Sequence, residues 1–262
     1  MLLVVHVTRA FNKALSSEED TMLGAIHSIE TFGLVDGPGV RYVIFMQGCH
    51  MRCKFCHNAD TWKIKKPDQI AEVVLKKALR YRPYWKDTGG ITVSGGEPLL
   101  QIDFLIELFT LAKKEGIHTT LDTCGQPFTF EESFFSKFKQ LMSVTDLVLL
   151  DIKHIDEKAH KELTGHTNEN ILNLAQYLSK IQMPVWIRHV LVPTINTDEK
   201  YLEELHQFIN TLNNVERVEV LPYHTLGAYK WKELGLDYPL EGINPPSEEQ
   251  LQIANRILET GK

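Results

Sequence analysis

Cysteine is scarce in this chain, with four residues in 262, and three of the four lie between positions 49 and 56. So few thiols, so tightly grouped, exclude a disulfide framework as the source of stability. Long hydrophobic runs are missing too: no apolar stretch reaches the ~18 residues needed to span a bilayer, so no membrane partner is expected. The start, Met1-Leu-Leu-Val-Val-His-Val, is apolar but brief, and it lacks the basic leader and small-residue cleavage site of a signal peptide. Positive charge is outnumbered, with 28 Lys and Arg against 34 Asp and Glu, a net charge of −6. Phosphate binding needs a basic surface, so nucleic acid is excluded as the main partner. Free thiols without an export signal point to a reducing, cytoplasmic setting. Internal repeats, linkers and low-complexity segments are likewise absent, and one domain is expected.

What is present is concentrated in Gly48-Cys-His-Met-Arg-Cys-Lys-Phe-Cys-His-Asn58. Cys49, Cys53 and Cys56 are spaced Cys-x3-Cys-x2-Cys. Soft thiolates on so short a loop can hold one inorganic cluster without distant help. A [4Fe–4S] cluster on three thiolates keeps one iron open to a small molecule, and the chemistry is placed there. The rival reading is a zinc knuckle used as a binding module, completed by His50 or His57. Structural zinc loops usually add a second, distant cysteine pair, and this chain has none.

The rest of the chain alternates. Extended patterns run from Ala25 to Phe32 and from Arg41 to Met46, separated by the turn signal Asp36-Gly-Pro-Gly39. Helical spacing covers 67–81, and Ile91 to Ser94 reads as a strand ending in Gly95-Gly96-Glu97-Pro98. Helices at 103–115, 131–142, 169–181, 198–212 and 248–258 interleave with strands at 117–121, 146–150, 185–192 and 215–221. Repeated βα units specify a parallel sheet with right-handed crossovers, and six such strands give an α/β fold, an incomplete (β/α)6 TIM-like barrel with outer helices. Polar residues fall at the C-terminal ends of strands, where barrel enzymes carry their sites: Asp122 and Thr123, Asp151 and Lys153, Arg188, and His224. Residues 1–21, with polar Ser16-Ser-Glu-Glu-Asp20, are expected to be a mobile extension preceding a core domain at 22–262, with Met22 an alternative start.

The cysteine loop, with Asp36-Gly-Pro-Gly39, Ser94-Gly-Gly-Glu-Pro98, Asp122-Thr-Cys-Gly125, Asp151-Ile-Lys153 and Pro222-Tyr-His224 in that order, resembles the radical S-adenosylmethionine enzymes. The form is that of the activating enzymes of glycyl-radical proteins, and the resemblance runs from about Met22 to the C-terminus. It implies one [4Fe–4S] cluster on Cys49, Cys53 and Cys56, with S-adenosylmethionine as the cleaved cofactor. By the same resemblance Phe55, Cys56 and His57 hold the adenine, and Gly96 in its Gly-Gly-Glu contacts the methionyl amino group. Asp151, Ile152 and Lys153 bind the methionyl and ribose parts, and His224 reaches the same cofactor. No catalytic side chain is expected beyond these. A monovalent cation is implied at Asp122, Thr123, the Leu149 carbonyl and Asp151; the alternative is that the aspartates hold the cofactor's ammonium directly. Asp36 and Arg41 become candidates for contact with a protein substrate. Cys124 as a fourth ligand would block the open iron, so it reads as a small strand-end residue.

Several activators of this family carry a cysteine-rich ferredoxin-like insert after the cluster loop. The 38 residues between Cys56 and Gly95 contain no cysteine. Among the proteins such enzymes activate, that absence points to pyruvate formate-lyase (formate acetyltransferase) under anaerobic conditions. The implied reaction abstracts a hydrogen from a backbone glycine, and the implied electron donor is reduced flavodoxin or ferredoxin. The alternatives are a different glycyl-radical partner or a small-molecule substrate.

Overall fold

The computed structural model describes residues 22–260. The extension expected at 1–21 lies outside the described residues. Strand β2 (Ile26–Gly33) runs antiparallel to β3 (Arg41–Met46), joined through the Asp36-Gly-Pro-Gly39 turn. From β3 the sheet continues in parallel through β5 (Gly90–Gly95), β6 (His118–Thr123), β7 (Leu147–Asp151), β8 (Val185–Leu191) and β9 (Val215–Pro222). Six parallel strands in sequential order are the expected barrel, with β2 added as an antiparallel edge. Two short strands, β1 (Leu23–Gly24) and β4 (Gln69–Ile70), pair beside it.

The pleat explains why such strands suit this sequence. One set of alternating residues, Tyr42, Ile44, Met46, Ile91, Val93, Leu121, Val148, Leu150 and Ile187, is apolar and buried against the helices. The other set faces the lumen and carries the polar residues Arg41, Thr92, Ser94, Thr120, Asp122, Asp151 and Arg188 among apolar ones such as Val43, Phe45 and Val190. Amphipathic helices seal the apolar side. Among them α3 (Ile102–Lys114) buries Phe104, Leu105, Leu108 and Phe109, while α4 (Glu132–Met142), α6 (Glu169–Lys180), α7 (Glu199–Ile209) and α9 (Glu248–Ile257) follow the expected ranges closely.

Three stretches depart from expectation. The helix expected over 67–81 is divided: Gln69–Ile70 is extended and pairs with β1, and the helix proper, α1 (Ala71–Ala78), tightens into a 3₁₀ turn at Leu79–Tyr81. Pro83 then sits at the start of a separate short turn, α2 (Arg82–Trp85). Helix α5 (Glu157–Thr164) lies where none was foreseen; Asp156 caps it by accepting from Ala159 N at 2.8 Å. So does α8 (Ala228–Glu233), directly after β9.

Candidate active site

The cysteine loop crosses the C-terminal mouth of the barrel and is tied down on both sides. Gly48 N donates to Thr61 O at 2.7 Å, and Arg52 and Lys54 N donate to Thr164 and Leu163 O at 2.8 and 2.9 Å. The unforeseen helix α5 thus supports the loop through its last carbonyls. On the other side the end of β5 abuts the loop's backbone. A Cβ on Gly96 would lie 2.2 Å from the Gly48 carbonyl, so only glycine allows this approach. Glu97 N donates to that same carbonyl at 2.8 Å.

Cys49, Cys53 and Cys56 line one cavity of about 330 Å³. Burial pushes the Cys49 and Cys53 thiols up to about 12 and raises Cys56, while the Lys153 ammonium opposes the shift at all three. Thiols that burial keeps protonated become anions when a metal displaces the proton, and the neighbouring cation then stabilises them. Among the described residues no three Cys, His, Asp or Glu side chains are grouped to hold one metal ion. A zinc knuckle would require such a group. Three soft thiols and the polar wall line the same cavity, a donor set that fits a cluster held by three protein ligands.

That wall is built from strand ends. Lys153 is 8% exposed and donates to Asp151 at 2.9 Å, and its ammonium lies 5.4 Å from the Phe55 ring centre. Burial is the largest influence and disfavours the lysine's charge, but Asp151 together with Cys53 and Cys124 outweighs it, and the ammonium is held more firmly than in water. Burial likewise opposes ionisation of Asp151, and Lys153 with Arg188 reverses this, leaving its carboxyl below the ordinary range. Asp122 differs. It accepts from Ser94 Oγ at 2.6 Å and from Arg188 at 3.2 Å, yet burial and then the Asp151 charge carry its carboxyl up to about 6. A cation between the two aspartates would keep both ionised.

Of the residues expected at the site, Phe55, Cys56, His57, Gly96, Asp122, Thr123, Asp151 and Lys153 share this cavity with Cys49 and Cys53. Ile152, Leu149 and His224 do not line it. Ile152 is fully buried behind the wall, its N–H donating to Arg188 O and its carbonyl accepting from His189 Nδ1. Leu149 is buried within β7, opposite Asp122. His224 stacks on His57 with ring centres 3.8 Å apart, and His57 Nε2 donates to the His224 carbonyl at 2.9 Å. Its reach to the cavity therefore runs through His57, whose protonation burial disfavours. Glu97 is turned away, its carboxylate accepting from Leu99 N, Thr123 Oγ1, and the N and Sγ of Cys124. It ties the ends of β5 and β6 together, and Cys124 keeps its thiol for that bond. Asp36 lines the cavity, whereas Arg41 lies at the opposite end of the strands, donating to Thr92, Thr120 and the Ile91 carbonyl.

Beyond His224, sequence reasoning missed the segment after β9. Trp231 Nε1 donates to the Cys56 carbonyl at 2.9 Å, and Lys230 Nζ reaches Asn58 at 3.0 Å and Asp60 at 3.1 Å. Trp231 also packs edge-on against Trp62, which lines the cavity. These contacts join residues about 170 positions apart, and no local spacing announces them.

Comparison with known proteins agrees with this geometry. Residues 43–209 match the family model described as the radical SAM superfamily. A pyruvate formate-lyase-activating enzyme of Listeria monocytogenes is 56% identical over 241 residues, covering 91% of this chain and 97% of that protein. The enzyme of the same name from Streptococcus mutans is 54% identical, covering 92% and 93%. Among solved structures, a domain of a pyruvate-formate lyase-activating enzyme from Bacteroides vulgatus superposes with a TM-score of 0.54 at 28% identity, over 65% of this chain and 93% of that one. A radical SAM methyltransferase from Sphaerobacter thermophilus, at 15% identity, shares the fold with a TM-score of 0.61 over 95% of this chain and 78% of its own.

Proposed function

The chain belongs to the radical SAM superfamily and, within it, to the family of pyruvate formate-lyase-activating enzymes, and on that premise we propose how its cavity performs the activation. When bound, a [4Fe–4S] cluster open at one iron supplies the electron that splits S-adenosylmethionine into methionine and a 5′-deoxyadenosyl radical, which takes a hydrogen from a glycine of pyruvate formate-lyase. The observation that carries this reading is that three thiols and the Lys153–Asp151 pair line a single cavity.

Cys49, Cys53 and Cys56 hold the cluster. Lys153, its charge secured by Asp151, meets the methionyl carboxylate as a charge-assisted donor. Gly96 presents backbone without a side chain to the methionyl amino group, and Phe55, Cys56 and His57 form the adenine edge. His224 sets the plane of His57 by stacking, and Ile152 fixes the spacing of Asp151 and Lys153 from behind the wall. Asp122, Thr123, the Leu149 carbonyl and Asp151 hold a monovalent cation. Burial of Cys49 and Cys53 limits the access of water to that side of the cavity. Residues 22–262 act as one domain. Reduced flavodoxin or ferredoxin supplies the electron, and a cytoplasmic setting keeps the thiols free.

Anaerobic reconstitution with iron and sulfide, then reduction with S-adenosylmethionine and pyruvate formate-lyase present, tests the reading. An organic doublet in the electron paramagnetic resonance spectrum, accompanied by 5′-deoxyadenosine and methionine, is expected. Cofactor cleavage without the doublet would move the partner to another glycyl-radical enzyme. Zinc in place of iron would overturn the whole assignment.

A further inference from the structure

The outer face of the cysteine loop carries a charge opposite to that of the molecule. Residues 50–66 hold Arg52, Lys54, Lys63, Lys65 and Lys66 against one carboxylate, Asp60, in a chain of net charge −6. Asp60 is itself paired, with His27 at 2.9 Å and Lys230 at 3.1 Å, so it does not offset the excess. Helix α5, under the loop, adds Lys158 and Lys161 to the exposed surface together with Glu157 and Glu162, and leaves the balance positive.

Backbone bonds hold this surface together. Residues 61–63 are laced to residues 47–49, through Thr61 O to Gly48 N, Trp62 O to Cys49 N, and Lys63 O to Gln47 Nε2. The Arg52 guanidinium lies 4.9 Å from the Trp62 ring centre and donates to the carbonyls of Cys49 and Met51, both at 2.7 Å. A positive charge therefore sits on the backbone of the first cluster cysteine. Ile64, 66% exposed, stands among Lys63, Lys65 and Lys66, with a side-chain carbon 3.5 Å from where a Cβ on Gly48 would be. An apolar centre within a charged rim is the anatomy of a transient protein interface.

We propose that this face, Arg52 and Lys63 to Lys66 around Ile64, is the docking surface for the electron donor, and that the donor is a small acidic protein carrying one-electron equivalents. The proposal rests on the reading of the cavity as a cluster site. Its inner side is committed to cofactor and substrate, so the outer side is the short route by which an electron reaches the thiol-held centre. In the step itself one electron leaves the donor's reduced group, which is oxidised by one equivalent, and enters the cluster; no bond or proton is exchanged. Complementary charge speeds the encounter and is weakened by salt, as suits a carrier that must leave after each delivery.

The test uses the reconstituted holoenzyme and the variant Lys63→Glu/Lys65→Glu/Lys66→Glu, whose three positions are exposed and outside the cavity. The probe is oxidised flavodoxin, titrated at several salt concentrations. Exposed ion pairs are individually weak but additive at this spacing, so reversing three charges should weaken flavodoxin binding by about tenfold at low salt and flatten its salt dependence. Activation of pyruvate formate-lyase driven by reduced flavodoxin should fall in proportion, while activation driven by dithionite stays at the wild-type level. Unchanged flavodoxin affinity would overturn the proposal. So would an equal fall with dithionite, which would assign the face to the protein substrate. If the wild-type protein fails with both reductants, the reading of the cavity itself falls, and the two failures are thereby told apart.

Discussion

Two polar layers are buried in this barrel, one at its floor and one at its mouth, and they differ in how completely their valences are satisfied. At the floor Arg41 is fully buried, and its donors reach Thr92, Thr120, His118, and the carbonyls of Pro38, Ile91 and His118. No carboxylate among the described residues lies within ion-pair range of it, and burial brings its guanidinium down to about 9. At the mouth, Asp36, Asp122 and Asp151 face Lys153 and Arg188. There Arg188 Nε and Glu219 Oε2 face each other as an ion pair at 3.8 Å, too far for a hydrogen bond, and His224 Nδ1 has no hydrogen-bond partner. Buried polarity alone therefore does not mark a site. The floor is closed on itself, and the mouth retains bonding capacity for a ligand.

Substitutions at the two layers should separate stability from function. The largest effect is expected at the mouth: Cys53→Ala should abolish cluster loading, measured as bound iron and as the brown absorbance, while circular dichroism stays native. Activation should drop to background. At the floor, Arg41→Met should cost about 2–4 kcal/mol in urea unfolding, because it strands buried hydroxyls and carbonyls. Iron content and affinity for S-adenosylmethionine should remain those of the wild type once the protein is folded. A loss of affinity in that variant would break the distinction.

A smaller effect is a pH dependence to which the floor contributes through His118. Burial, then the Arg41 charge, lowers His118 to about 4 in the folded state, and its Nδ1 accepts from Arg41 at 3.2 Å. An unfolded histidine titrates near 6.5, so between those values the unfolded chain binds the extra proton. Stability from this group is present above about pH 6.5 and is lost as pH falls toward 4. Urea midpoints at pH 7 and pH 5 should differ less in His118→Asn than in wild type; the slope will not vanish, since His160 and His189 are shifted in the same direction.

Much of the frame was legible because it is local. The alternation of β3 and β5 to β9, and the placement of Asp122 and Asp151 at strand ends, follow from period-two patterning and barrel geometry, whereas Arg188, expected at such an end, lies mid-strand in β8, level with Asp151. The cysteine spacing singled out the three thiols that line the cavity without any tertiary information. What escaped is what depends on distance in the chain. Arg41 looked like a substrate-facing residue, and only its partners show that it is a structural tie, as Glu97 is at the other end of the strands. Helix α5 has few apolar positions and declares itself mainly by its Asp156 cap. Trp231 and Lys230 meet residues 56–60 across the whole length of the domain, beyond the 43–209 match to the family model. Their role could be assigned only from coordinates.

Trp231→Phe therefore gives the smallest effect and the sharpest division between the layers. Phenylalanine keeps a ring against Trp62 and Tyr238 but removes the Nε1–H that donates to the Cys56 carbonyl. One such bond is worth about 1 kcal/mol, or roughly a fivefold change in an equilibrium. If residues 224–231 act as part of the mouth, the change should appear as a roughly fivefold weaker affinity for S-adenosylmethionine, with the turnover rate at saturation near wild type. If they act like the floor, the same energy should appear in the unfolding midpoint, with cofactor affinity untouched. The bond ends on a carbonyl of the loop that carries both the third thiol and the His57 ring, so the first outcome is the expected one.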